Sequence, residues 1–237
     1  REHIHQLVNA MDDICDLITG MGHANVAASL TALVYTGQFD LRQTYFLIAG
    51  IAAIDPAQGT LGSAAWARYL VDYGIAWEID AREMPAGWPY GYFGIHSQGP
   101  QEKPPLDYRT EVFRVNEQLL QRAYELSRDV PLVDSEEAKV FRANWRTAPA
   151  NQPPRVVQCD TVSGDTRFSG HALGERARDW MKLLTDGQGT YCTTQQADNA
   201  SYEVLKRATA AGLLDVERLA VLRSGASFDR PYEGQTS

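Results

Sequence analysis

The side chains that could do chemistry here gather in a few small-residue or polar stretches. In Thr19-Gly20-Met21-Gly22-His23-Ala24-Asn25, two glycines separate a brief apolar run from an alanine-rich one. Glycine permits positive φ and close backbone approach. The N–H groups that open the following helix lack internal partners and carry the positive end of its dipole, so such a turn holds an anion or a polar sugar, or only reverses the chain. Gly20, Gly22 and Asn25 are its candidate binding residues. Gly50-Ile51-Ala52-Ala53 ends an apolar run in small residues, which leave room for a ligand at the end of a sheet or merely let the chain turn under a helix.

Three polar groups follow. Glu78-Ile79-Asp80-Ala81-Arg82-Glu83 is the densest carboxylate cluster. Carboxylates do acid–base work when their environments differ, whereas Arg82 favours an ion-paired sheet edge. Asp160 to Gly170, a dense polar turn after a strand, is the better site candidate. Thr193 to Ala200 opens a helix on which Asp198 or Asn199 is expected as N-cap. Cys15, Cys159 and Cys192 are far apart, with no Cys-x-x-Cys pair and no histidine ladder, so no metal site is expected and at most one disulfide. No cofactor is expected either.

The elements that must position these groups read as alternating strands and helices. A short strand ending at Ile18 leads through the glycine turn into a helix with Ala27, Leu30 and Val34 on one face. Thr44 to Ile54 is continuously apolar, the pattern of a central parallel strand. Ala64 to Ile79 reads as one or two strands and Trp88 to Pro105 as a long aromatic loop. Val112, Val115, Leu119, Leu120, Ala123 and Leu126 mark an amphipathic helix, and Asp134-Ser135-Glu136-Glu137 starts another that runs through Trp145. Strand Arg155–Cys159, helix 173–184, a helix ending near Gly212 and strand Leu219–Leu222 complete the alternation. It predicts one α/β domain with a largely parallel sheet.

Composition sets the limits. A chain of 237 residues with 44% hydrophobic and 22% charged residues has the make-up of a single globular domain. A formal charge of −8 disfavours nucleic-acid binding, which depends on clustered Lys and Arg. The longest apolar run, Tyr45 to Ile54, is far short of the roughly 20 residues of a membrane-spanning helix. Nothing at the start reads as a signal peptide, so secreted, periplasmic and cytoplasmic locations all stay open.

Several of these stretches, in this order, resemble the purine nucleoside permease family within the nucleoside phosphorylase superfamily. They are Thr19–Asn25, Tyr45–Ala52, Gly59-Thr60-Leu61-Gly62-Ser63, Glu78–Pro85, Gly189-Thr190-Tyr191-Cys192-Thr193-Thr194 and Phe228-Asp229-Arg230-Pro231. The resemblance covers nearly the whole of 1–237 and implies a nucleoside phosphorylase-like three-layer sandwich with a mainly parallel central sheet. It also implies a first strand before the region matched by Arg1 to Ile14 and a helix beyond Ser237. By the same resemblance, Val162-Ser163-Gly164-Asp165 precedes the residue stacked on the purine, which points to Arg167 or Phe168. Gln195 and Gln196 stand where nucleosidases hold the ribose hydroxyls, with Asp198 and Asn199 beside them.

Departures from the family pattern shape the functional expectation. Ile51 replaces a hydroxyl residue at the strand exit and cannot donate a hydrogen bond, which disfavours phosphorolysis. Ala226 and Ser227 replace the Ser-Asp pair that protonates the leaving purine, and serine is a poor general acid. Asp229, two residues on, is the one candidate substitute. The leading expectation is therefore a purine-nucleoside-binding protein implicated in uptake, with a purine nucleoside or nucleobase as partner and a homodimer or larger assembly. A nucleosidase cleaving the N-glycosidic bond and a non-catalytic storage relative are the alternatives.

Overall fold

The computed structural model describes residues 7–11 and 14–235. In chain order they form β1 (Leu7–Met11), β2 (Ile14–Leu17), α1 (His23–Tyr35), β3 (Phe46–Ile54), β4 (Ala64–Trp66), β5 (Tyr69–Asp72), β6 (Ala76–Glu78), β7 (Tyr92–Gly94) and β8 (Val112–Arg114). Then come α2 (Glu117–Ser127), α3 (Glu136–Arg142), β9 (Val156–Gln158), β10 (Asp160–Ser163), α4 (His171–Leu184), β11 (Tyr191–Gln195), α5 (Asp198–Ala210) and β12 (Leu219–Phe228). Eight strands make one sheet in the order β8-β5-β10-β11-β3-β12-β4-β9. Four neighbouring pairs are parallel and three antiparallel, so the expected α/β class and parallel majority hold.

Strand alternation assigns the layers. Leu70, Leu219 and Val221 share an apolar cluster with Tyr202, Leu205 and Ala208 of α5. Helix α1 packs on α5 through Val26, Leu30 and Val204. Tyr69, Val71, Tyr73 and Val162 point the other way, onto Ala177, Trp180, Met181 and Leu184 of α4. Trp66, paired with Leu222 across the sheet, donates its indole N–H to Ser127 Oγ of α2 at 2.8 Å, and with Leu120 of α2 it joins the same apolar cluster. Each fully buried aliphatic side chain here contributes about 2–3 kcal/mol of transfer free energy. A disulfide joins Cys159 to Cys192 at the feet of β10 and β11 across 33 residues, and closing a loop of that length stabilises by roughly 3–4 kcal/mol. Cys15 is exposed and unpaired.

Strand β3 differs along its length. One edge pairs with β12 from Phe46 to Ile54, while the other meets β11 only at Ala53 and Ile54. Among the described residues, Phe46 to Ala52 have no strand partner on that second edge. Side chains follow the same division: Ala52 to Ile54 are buried, but Leu47 is 57% and Ile51 73% exposed. A continuously apolar run suggests burial on both faces; here only the last third achieves it.

Other expectations shift at their boundaries. The Ala64–Ile79 region holds three strands rather than one or two, and β7 forms inside the predicted aromatic loop by pairing with β6. Val112 to Arg114 is a strand on β5, so the helical spacing begins only after Asn116, whose side chain caps Leu119 N. Helix α3 stops at Arg142, short of Trp145. Asp160 to Ser163 is strand rather than turn, because each of its residues is buried in the sheet. Strand β12 runs on to Phe228, well past Leu222.

Candidate functional site

The glycine turn, the loop after β10 and the start of α5 meet at the C-terminal ends of β10 and β11. Gly20 and Gly22 have φ of 79° and 94°, a conformation that requires glycine. Helix α1 has no side-chain cap of its own at Gly22. Instead Asp165 Oδ1, from the loop after β10, accepts from His23 N at 2.7 Å. An anionic cap on the exposed first N–H is favoured by the helix dipole. Asn25 Nδ2 donates to Met21 O at 2.7 Å, and a Cβ on Gly20 would lie 3.3 Å from the Asn25 Cβ, so Asn25 braces the turn.

Two side chains at the end of β11 join this wall. Gln196 Nε2 donates to Asp165 O at 2.6 Å. Gln195 turns inward: its Oε1 accepts from Ala197 N at 2.7 Å and Asp198 N at 3.0 Å, and its Nε2 donates to Thr161 Oγ1 and Val162 O. The amide of Gln195 thus caps α5, and neither Asp198 nor Asn199 is the N-cap expected from sequence. A two-faced amide at a strand end outcompetes them because the N–H groups point back at the sheet.

Behind the opening of α5 lies a buried ion pair. Arg223 of β12 donates to the Asp198 carboxylate through Nε, at 3.2 Å, and through Nη2. Both side chains are within the protein, at 7% and 0% exposure. Arg223 lies across the sheet from Gly50, where a Cβ would collide with its Nη1, so Gly50 is what lets the guanidinium lie flat on β3. Asn199 Nδ2 donates to Thr110 O at 2.8 Å, while its buried Oδ1 finds no donor among the described residues. His23 Nε2 stands 2.7 Å from Ser163 Oγ. Below them burial pushes the Asp72 carboxyl up from its ordinary range, against the N–H groups of Ile75 and Gly74 that favour its charge.

Of the candidate binding residues, Gly20, Gly22, Asn25, Gly50, Gln195, Gln196, Asp198 and Asn199 are brought together around the glycine turn, the end of β11 and the start of α5. The others lie apart. Ile51 is exposed and Ala52 buried beside Gly50. Phe168 is buried and stacks on Tyr73 at 4.9 Å in the α4 layer, leaving Arg167 as the exposed residue of that pair. Ser227 borders a separate cleft of about 400 Å³, with Phe141, Ser169, Phe228 and Arg230 among its walls. Asp229 has no exposed surface; it accepts from Tyr191 O–H at 2.9 Å and from Arg230 Nε at 2.8 Å, and Arg230 continues to Glu175. The carboxylate cluster resolves into an exposed Arg82–Asp80 pair, the ion-paired reading of that stretch. Among the described residues no group of three or more His, Cys, Asp or Glu side chains is placed to hold a metal ion.

Sequence reasoning passed over His23, Ser163, Asp165 and Arg223. A signal existed for Arg223, a lone charge ending the apolar run Leu219–Leu222. His23 and Asp165 sat within quoted motifs, but their mutual contact spans 142 residues and has no local signature.

The purine nucleoside permease (NUP) family model matches residues 2–237. Over 232 residues the chain is 38% identical to a probable purine nucleoside permease of Schizosaccharomyces pombe, covering 94% of this chain and 66% of that protein. Over 222 residues it is 37% identical to the purine nucleoside permease of Candida albicans, covering 92% and 55% respectively. The chain therefore spans just under two thirds and a little over half of these relatives. Among solved structures it is similar to 5′-methylthioadenosine/S-adenosylhomocysteine nucleosidase from Helicobacter pylori, with a TM-score of 0.52 and 12% identity over 90% of this chain and 68% of that one. The corresponding nucleosidase of Campylobacter jejuni gives 0.50 and 13%, over 92% and 68%. At such identities the likeness is one of fold.

Proposed function

We propose that this chain, which belongs to the purine nucleoside permease family, captures a purine nucleoside in the crevice between the α1 glycine turn and the start of α5, in the service of uptake. The observation that carries this reading is the Asp198–Arg223 pair, laid over Gly50 at the back of the crevice. Held behind the opening of α5, the pair fixes the polar groups that face the ribose hydroxyls, so that little ordering cost is left to binding. Gln196, Asn199 and Asn25 supply amides around them, Gly20, Gly22 and Gly50 allow close approach, and Ile51 and Ala52 line the sheet beside the ligand. Arg167, exposed on the loop after β10, takes the base side in this reading, whereas Phe168 and Ser227 lie apart from it. Among the described residues no helix is long and apolar enough to cross a membrane.

Two expectations about the assembly accompany it. We expect a further strand on the edge of β3 from Phe46 to Ala52, which has no strand partner there among the described residues. The exposed Leu47 and Ile51 favour a homodimer or larger assembly.

Hydrolysis of the glycosidic bond is the second reading, supported by the fold likeness to nucleosidases. Its acid would be Asp229, but a general acid must reach the leaving nitrogen, and this carboxylate is occupied by Arg230 and Tyr191. Calorimetric titration with adenosine, guanosine and inosine, followed by chromatography for free base, separates the readings. Heat of binding without free base is the expected result. Accumulating free base would establish the nucleosidase, and silence in both channels would remove the binding role.

A further inference from the structure

We propose that His23 is a ligand-contacting residue of this crevice, its ring Nδ1–H donating to an acceptor atom of the nucleoside; the inference rests on the crevice being the nucleoside site. The argument begins with Ser163. Its Oγ has three neighbours: His23 Nε2 at 2.7 Å, Gln195 Oε1 at 3.5 Å and Asn199 N at 3.5 Å. The Asn199 N–H can only donate, and Gln195 Oε1 already accepts two backbone N–H groups. Of the two acceptors within reach of the serine O–H, His23 Nε2 at 2.7 Å is much nearer than Gln195 Oε1 at 3.5 Å, and we assign the hydrogen to the histidine. A neutral imidazole that accepts at one nitrogen carries its proton on the other, so the tautomer is Nδ1–H.

That second nitrogen has no hydrogen-bond partner among the described residues, and the ring is only partly buried. A histidine serving packing alone gains nothing from having one nitrogen oriented so closely while the other is left without a partner. Its backbone is fixed as well, through the N–H held by Asp165 and the left-handed Gly22 before it. Orientation at both ends means the donor costs little to present, which is the condition under which one hydrogen bond adds measurable affinity and selectivity. The acceptor it meets is an oxygen of the sugar or a ring nitrogen of the base.

Two amide substitutions separate the ring nitrogens. In His23→Gln the side-chain amide reaches the Nε2 position and keeps the Ser163 contact, but offers no donor at Nδ1. In His23→Asn the amide nitrogen stands at the Nδ1 position and the Ser163 contact is lost. Titration calorimetry with adenosine, guanosine and inosine, paired with thermal melting, should show His23→Gln melting like the wild type yet binding roughly three- to tenfold more weakly. His23→Asn should stay within about threefold of the wild type despite a lower melting temperature. Equal binding by wild type and His23→Gln, or equal losses in both variants, would overturn the Nδ1 assignment while leaving the nucleoside site intact. If the wild type binds none of the three nucleosides, the site reading itself fails and takes this inference with it.

Discussion

Asp198 and Asp229 are both devoid of exposed surface and both paired with an arginine, yet their surroundings differ. Asp229 is enclosed on every side: Tyr191, Arg230, then Glu175, with Arg178 and Asp55 close by, and Gly174 leaving space for the Arg230 guanidinium. Asp198 and Arg223 close only on each other, at the first turn of α5, with glycines and amides beside them. A saturated network of charges holds a fold together. In the proposed reading, a pair closed only on itself is the one that serves the ligand.

The largest expected effect tests the enclosed side. Asp229→Ala takes from the buried Arg230 its two-pronged, fully buried counter-charge and leaves it the half-exposed Glu175, and stability measured by urea unfolding should fall by about 3–5 kcal/mol. Nucleoside affinity, measured below the unfolding range, should remain within twofold. A variant that keeps its stability but loses affinity would move Asp229 into the site and reverse the comparison.

Asp198→Asn comes next. The variant keeps the shape of the pair and removes its charge, and affinity should drop on the order of 30-fold, the equivalent of roughly 2 kcal/mol. Gly50→Ala, which pushes Arg223 from its bed on β3, should reproduce about a tenfold part of that loss without touching Asp198. If neither substitution changes the titration, the crevice is not where the nucleoside binds.

The smallest effect is in pH. Asp160, at the foot of β10 in the enclosed half, accepts from the backbone N–H groups of Arg68, Tyr69 and Thr190, yet burial outweighs them and raises its carboxyl above the ordinary value of 3.8. A raised folded value means that the stability this group contributes is fully present below 3.8 and is lost as pH rises through the raised value. Urea midpoints followed across that window should decline for the wild type and decline less for Asp160→Asn. Parallel curves would show that the three N–H donors, rather than desolvation, decide the charge of this group.

Much of the architecture could be read along the chain because its causes are local. The helix after Gly22, the capping serine at Ser135 and the strand over Phe46–Ile54 follow from glycine placement, side-chain caps and apolar runs. Boundaries slipped where pairing partners were distant. Val112 to Arg114 has helical spacing but is drawn into a strand by β5, and Asp160 to Ser163 looks like a turn until β5 and β11 flank it.

The family, the α/β class and the glycine turn before α1 were determined by the sequence alone, since glycine, apolar periodicity and motif order do not depend on distant contacts. Which polar residues face one another was decided only by the tertiary structure. Gly50 meets Arg223 through strand register, His23 meets Ser163 across 140 residues, and Gln195 rather than Asp198 caps α5. Hydrogen bonds and buried charges are set by distances of a few ångströms between remote segments, and no local pattern encodes those.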